Sequence, residues 1–362
     1  MHKGLNFRDL DWLLLLVASL IAGIGVVEIY STTFHSPLAG QYHKQLDWVL
    51  VGIVAALVVS QLDYHRLVEQ APVLYFASLF ALLAVLVLGR AVAKTHRWIT
   101  LGGQTLQVSE LVKLTIIVGA AFYLGRRGEK PLGWKDLAVL LVLGGLPAVL
   151  VALEPDLGTA LTYLAIISAG LLLTGVPKRY LAAVAIVGVL SLPLGWHLMR
   201  PYQRDRLMSF AHPTEDSQGS GYQVTQSKIA VGSGGLRGKG LRHGTQSQLG
   251  FVPVSHADFI FAAFAEEQGF VGTLAVLLLY LIMLLRLLDG AQFAPDRAGA
   301  LLVAGMAAVL FFQVAVNVGM MIGWLPITGI PLPLMSQGGS SVFATFLGIG
   351  LAMSVKRLRF VN

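Results

Sequence analysis

The residues of this chain that can do chemistry are charged groups set in apolar surroundings. Asp258 ends a polar stretch and opens the apolar run Phe259-Ile-Phe-Ala262. A carboxylate at such a boundary is partly desolvated, which suits it to act as a general base. Its hard oxygens equally suit a divalent cation, Mg or Mn, beside a pyrophosphate. The bland alternative is an N-cap of the helix that follows. Glu110 and Lys113 are three apart in Ser109-Glu-Leu-Val-Lys113. They share a helix face and can pair with each other, or Lys113 can face a cavity and meet an anion. Asp156 follows a helix-stopping proline in Glu154-Pro-Asp156. It can cap the next helix or pair with Lys113. Glu28, Glu266 and Glu267 are further carboxylates inside apolar stretches.

Segment 199–258 is long, polar and rich in glycine. It reads as a loop, and long loops in compact proteins are usually functional or disordered. The glycine run Gly232-Ser-Gly-Gly-Leu-Arg-Gly-Lys-Gly240 could cradle a phosphate with its amides. It is no Walker A loop, because Ser233 stands where the first Gly is required and Gly240 follows Lys239. It is no dinucleotide fingerprint either, because Arg237 takes the place of the third Gly. A lipid pyrophosphate remains, with Arg204, Arg206, Arg237 and Lys239 as candidate counter-charges.

The elements that must position these groups are membrane helices. Of 362 residues, 56% are hydrophobic and 12% charged, about half the charge of a soluble domain. That supply cannot cover a water-soluble surface, and it excludes disorder, which needs low hydrophobicity and high charge. Cysteine is absent, which removes disulfides, thiolate catalysis and cysteine metal sites. The formal charge of +7 is what basic loops of a membrane protein produce, so no nucleic-acid partner is expected. About ten stretches have the length and apolarity of spans: roughly 11–30, 45–62, 71–89, 109–125, 136–153, 158–174, 179–198, 265–288, 298–324 and 339–355. The first has no clean small-residue cleavage site after it and is expected to remain as a helix. The expected fold is an all-α polytopic membrane protein, one integral domain over 1–362, with a long loop between the seventh and eighth helices.

Lys and Arg fix the expected orientation. They gather on the N-terminal side of the membrane, as in Arg126, Arg127, Lys130, Lys135, Lys178, Arg179, Lys356, Arg357 and Arg359. The short loops on the other side carry Lys44, Arg90, Lys94 and Arg97. By the positive-inside rule both termini are cytoplasmic, and Asp258 faces outward. No internal repeat is visible, which weakens an inverted-repeat transporter reading.

The chain resembles the SEDS family (shape, elongation, division and sporulation), and within it the rod-shape branch, over nearly its whole length. The carriers are Arg97-Trp-Ile99 with Leu101-Gly102, Glu154-Pro-Asp-Leu-Gly-Thr159, Pro201-Tyr-Gln-Arg204, Gly221-Tyr-Gln223 and Gly232-Ser-Gly-Gly235. Further carriers are Asp258-Phe-Ile-Phe-Ala262 with Glu266-Glu267, and Pro331-Leu-Pro-Leu-Met-Ser-Gln-Gly-Gly-Ser-Ser341. The resemblance implies a peptidoglycan glycosyltransferase of the bacterial cytoplasmic membrane that polymerises lipid II and releases undecaprenyl pyrophosphate. It implies a class B penicillin-binding protein as partner. It assigns the catalytic role to Asp258 and the charged pair of a central cavity to Lys113 and Asp156. With these stand Arg97, Arg204 and Lys239 as cations for the leaving group, and Glu110, His256 and Ser336 as further substrate contacts. The family pattern is altered at His256-Ala-Asp258, at Gln107-Val-Ser-Glu110, at Ser336-Gln-Gly-Gly339, and at Val254, where an acidic residue is frequent. The last change favours one catalytic carboxylate over a pair. The rival readings are a lipid II flippase and a scaffold that only activates its transpeptidase.

Overall fold

The computed structural model describes residues 9–88, 90–92, 95–101, 104–128, 131–212 and 219–359; the side chains of 88–104, and some in the helix 178–198, lie outside this description. The apolar stretches all form helices. In chain order the elements are α1 (Trp12–Thr33), α2 (Gln41–Gln61), α3 (Tyr64–Glu69), α4 (Ala71–Leu88), β1 (Arg90–Val92), β2 (Thr95–Leu101), β3 (Gln104–Gln107), α5 (Val108–Arg126), α6 (Trp134–Leu153) and α7 (Leu157–Leu173). There follow α8 (Lys178–Leu198), α9 (Pro201–Ala211), α10 (Ser220–Ser233), α11 (Thr245–Gln248), α12 (Ile260–Gln292), α13 (Arg297–Met321) and α14 (Gly339–Leu358). Among the described residues, 7 helices are long and apolar enough to cross a membrane, and Ala71–Val87 and Leu157–Leu173 are shorter apolar helices.

Two features depart from the expectation of helices joined by loops. Residues 90–92, 95–101 and 104–107 form a three-stranded antiparallel sheet in the order β1-β2-β3, with Trp98 paired to Gln107 and Leu101 to Gln104. The segment 199–258 is not one loop but carries α9, α10 and α11. Pro201 starts α9 at a position that needs no amide donor, and the Gln203 side chain accepts from the Arg200 amide at 2.9 Å. Helix α10 buries Gly221, Val224, Ser227 and Ala230, and Ser227 donates to the Met321 carbonyl at 3.1 Å.

Glycines let the bundle close. A Cβ on Gly25 of α1 would sit 2.5 Å from the Met335 carbonyl oxygen, whereas one on Gly23 would meet nothing within 4 Å. Gly25→Val should therefore strain the contact between α1 and the 322–338 segment by about 1–3 kcal/mol. Its melting temperature in detergent should fall by several degrees while Gly23→Val melts as wild type; equal melting would contradict this packing. On the opposite side of the bundle Asp11 ties three helices. It accepts from Arg286 at 2.9 Å and from Lys356 at 2.7 Å.

Candidate active site

A cavity of about 470 Å³ opens where α9, the N-terminus of α7 and the segments 257–258, 326–331 and 337–341 meet. Each wall follows from local chemistry. Tyr202, Gln203, Arg206 and Leu207 of α9 line it, at the i, i+1, i+4, i+5 spacing of one helix face. Gly158, at the start of α7, lies against segment 328–330; a Cβ there would be 2.8 Å from the Thr328 carbonyl oxygen. That close approach brings Asp156 to the cavity. Asp156 caps α7, accepting from the Thr159 amide at 3.2 Å, and accepts from Gln107 Nε2 at 3.1 Å.

Asp258 sits on a tight turn ahead of α12. The Ala257 amide donates to the Val254 carbonyl at 3.0 Å, and the Phe259 amide to the same oxygen at 3.4 Å. Ser336 Oγ donates to the Ala257 carbonyl at 2.7 Å and accepts from the Leu332 amide at 2.9 Å. Asn317 Nδ2 bridges the Asp258 carbonyl (3.2 Å) and the Ile330 carbonyl (2.9 Å). The residue at the N-cap of α12 is Phe259, with no side-chain cap, so Asp258 is not that helix's cap. Its half-buried carboxylate lines the cavity.

The deciding geometry is at Gly329. A Cβ there would lie 3.8 Å from Asp258 Oδ2 and 3.8 Å from Arg206 Nη1. Gly329 has φ +73°, a conformation that costs a side chain energy. A carboxylate and a guanidinium thus converge on one spot kept clear of a side chain. Glu110 lines the cavity too, and its carboxylate pairs with Lys113 Nζ at 2.7 Å in a buried ion pair. Lys113 itself lines a small apolar cavity beside α12, α13 and α14, which Glu110 borders as well.

The model of the FTSW_RODA_SPOVE family, described as cell cycle protein, matches residues 11–359. The chain belongs to this family. It is 38% identical to the peptidoglycan glycosyltransferase MrdB of Escherichia coli (strain K12), over 96% of this chain and 93% of that protein. It is 32% identical to the peptidoglycan glycosyltransferase RodA of Treponema pallidum (strain Nichols), over 96% and 97%. Its fold matches the crystal structure of the Thermus thermophilus rod shape determining protein RodA with TM-score 0.74 at 32% identity, covering 99% of this chain and 100% of the other. A chain of the structure described as "Structural coordination of polymerization and crosslinking by a peptidoglycan synthase complex" matches with TM-score 0.83 at 32% identity, covering 98% and 100%.

Within this FTSW_RODA_SPOVE chain the structure brings together Asp258, Asp156, Glu110 and, of the candidate counter-charges, Arg206. It sets other candidates elsewhere. Arg204 points away from the cavity, donating to the His197 carbonyl at 2.8 Å with its guanidinium 5.8 Å from the Trp196 ring centroid. Two residues apart on a helix cannot share a face, so α9 gives the cavity Arg206 and not Arg204. Lys239 pairs with Glu266 at 2.6 Å. Glu266 is fully buried, and a buried carboxylate holds its partner tightly. The glycine run does not cradle an anion with its amides: Lys239 and Gly240 donate to the Glu266 and Glu267 carbonyls at 3.0 and 2.9 Å. Its glycines serve backbone contact, since a Cβ on Gly238 would be 2.1 Å from the Glu267 carbonyl oxygen. Lys113 takes the local pairing with Glu110. The side chain of Arg97 lies outside the described residues. Ser336 acts by holding the Asp258 turn, and His256 lines an adjoining cavity.

Ser336→Ala removes the two hydroxyl bonds that tie the Asp258 turn to Leu332. The expected result is roughly a tenfold lower glycan-forming rate with substrate affinity little changed, since small misplacements near a reacting group are costly. Initial rates over a range of substrate concentrations check it; an unchanged rate would contradict the positioning role.

Arg206, Gln107, Asn317 and Gly329 are the residues that sequence reasoning undervalued. Recognising α9 as a helix from Pro201 would have separated Arg206 from Arg204.

Proposed function

We propose that the chain is a peptidoglycan glycosyltransferase that polymerises lipid II, with Asp258 as its catalytic group. One observation carries the reading: the Asp258 carboxylate and the Arg206 guanidinium face the same clear spot over Gly329 inside the cavity. The reaction needs that pairing. Asp258 accepts the proton of the 4-hydroxyl of one GlcNAc as its oxygen attacks the anomeric carbon of a MurNAc. The bond from that carbon to the undecaprenyl pyrophosphate breaks, and the configuration inverts. Arg206 stands where it can offer N–H donors to the pyrophosphate as negative charge develops. Asp156, fixed by Thr159 and Gln107, and the Glu110–Lys113 pair set the floor that orients the sugars.

Among the described residues no three His, Asp or Glu side chains form a metal cluster. Mg is often held by one or two carboxylates with substrate phosphates, so Asp258 fits as its protein ligand. Such an ion would supply further neutralisation of the leaving group. The strong likeness to a chain of a peptidoglycan synthase complex supports a class B penicillin-binding protein as partner. We read the ten apolar stretches as the spans of one domain, and the distribution of Lys and Arg supports both termini in the cytoplasm and the cavity open to the outer face.

The test is polymer formation from fluorescent lipid II by purified protein in detergent, where there are no compartments to transport between. A ladder of glycan strands is expected; lipid II movement in sealed vesicles without any ladder in detergent would favour the flippase.

A further inference from the structure

A second cavity, of about 230 Å³, meets the Asp258 cavity along Ala257, Gln337 and Gly338. It is lined besides by Lys44 and Trp48 of α2 and by His256. The wall is built with care. Gln45 uses both ends of its amide to hold it, donating to the Ser336 carbonyl at 3.0 Å and accepting from the Gly338 amide at 3.1 Å. The Gln337 amide donates to the His256 carbonyl at 3.0 Å. Trp48 rests against Gly339, where a Cβ would fall 2.2 Å from its indole. Within this supported wall one group lacks its partner: Gln337 Oε1 is buried with no hydrogen-bond partner among the described residues. A buried polar atom left so is commonly completed by water or a ligand.

An indole ring, an amide with an unmet acceptor and an imidazole ring match the apolar face, the N–H and the hydroxyls of an acetamido sugar. We propose that this cavity is a glycan subsite that holds the N-acetylated sugar next to the one reacting at Asp258. The proposal rests on the glycosyltransferase reading for its substrate class. It gives the chain a second hold on the strand, so its loss should shorten products.

The test uses the full chain in detergent and a soluble GlcNAc–MurNAc tetrasaccharide, with binding read by saturation-transfer NMR. Trp48→Ala and Gln337→Ala should each weaken binding at least tenfold, and Trp48→Phe, which keeps a ring, less than threefold. Strand lengths from lipid II should shorten in the same two variants. Melting temperatures equal to wild type for Gln337→Ala separate lost contact from lost fold. No tetrasaccharide binding by wild type, or equal binding by all variants, overturns the subsite even if lipid II is polymerised. Tetrasaccharide binding with no polymer from lipid II would instead sink the glycosyltransferase reading and leave the subsite standing.

Discussion

Asp258→Asn should lower the rate of glycan polymerisation at least about 100-fold, because a positioned general base contributes roughly 10²–10⁴. The substitution keeps size and shape. The bond from Asn317 to the residue 258 carbonyl and the clamp of Ser336 on Ala257 use backbone atoms, so the turn should survive. Melting temperature should match wild type within a degree or two. Asp258→Glu restores the carboxylate but moves it, and should recover only a small part of the rate. If the carboxylate also holds a divalent cation, the Asn variant's residual rate should no longer rise with added Mg or Mn. Initial rates across cation concentrations for the three proteins check this. A rate for Asp258→Asn within threefold of wild type would remove Asp258 from the mechanism.

Arg206→Ala should cost about 2–4 kcal/mol of transition-state stabilisation, the range for losing a donor to developing negative charge. That is roughly 30- to 1,000-fold in rate. Arg206→Lys should recover part of it, because a point charge remains without the planar fork. Arg204→Ala should stay within about threefold, since Arg206 and not Arg204 lines the cavity and Arg204 is held at the His197 carbonyl. The comparison matters because sequence alone favours Arg204. Turnover measured for the three variants at saturating lipid II decides it; a large loss in Arg204→Ala with none in Arg206→Ala would reverse the assignment.

Much of this was legible in the sequence, for physical reasons. Apolar stretches long enough to cross a bilayer leave little choice but helices, and each formed one. Asp258 was legible because a carboxylate against Phe259-Ile-Phe-Ala262 needs a reason to be there. The family membership was legible in the ordered motifs. Other features depend on tertiary packing. The sheet over 90–107 consists of short strands that read as a loop between two helices. The glycine run over 232–240 suggested an anion cradle, yet its glycines exist so that its backbone can touch the kink in α12 at Gly269, where φ is +68°. Lys239 looked like a counter-charge until Glu266 was seen beside it. Arg204 and Arg206 differ only by which face of α9 they occupy, which no composition reveals. Gln337 had no chemistry in the sequence, and its significance comes from the two cavities that meet at it.

Glycosyl transfer is proposed to occur in the cavity at Asp258. Its most direct test is electrophoresis of the products made from fluorescent lipid II by purified wild type and Asp258→Asn. A class B penicillin-binding protein, the proposed partner, is present with each, and moenomycin silences unrelated polymerases. A ladder of strands is expected from wild type and none from the variant; ladders of equal intensity from both would place glycosyl transfer elsewhere.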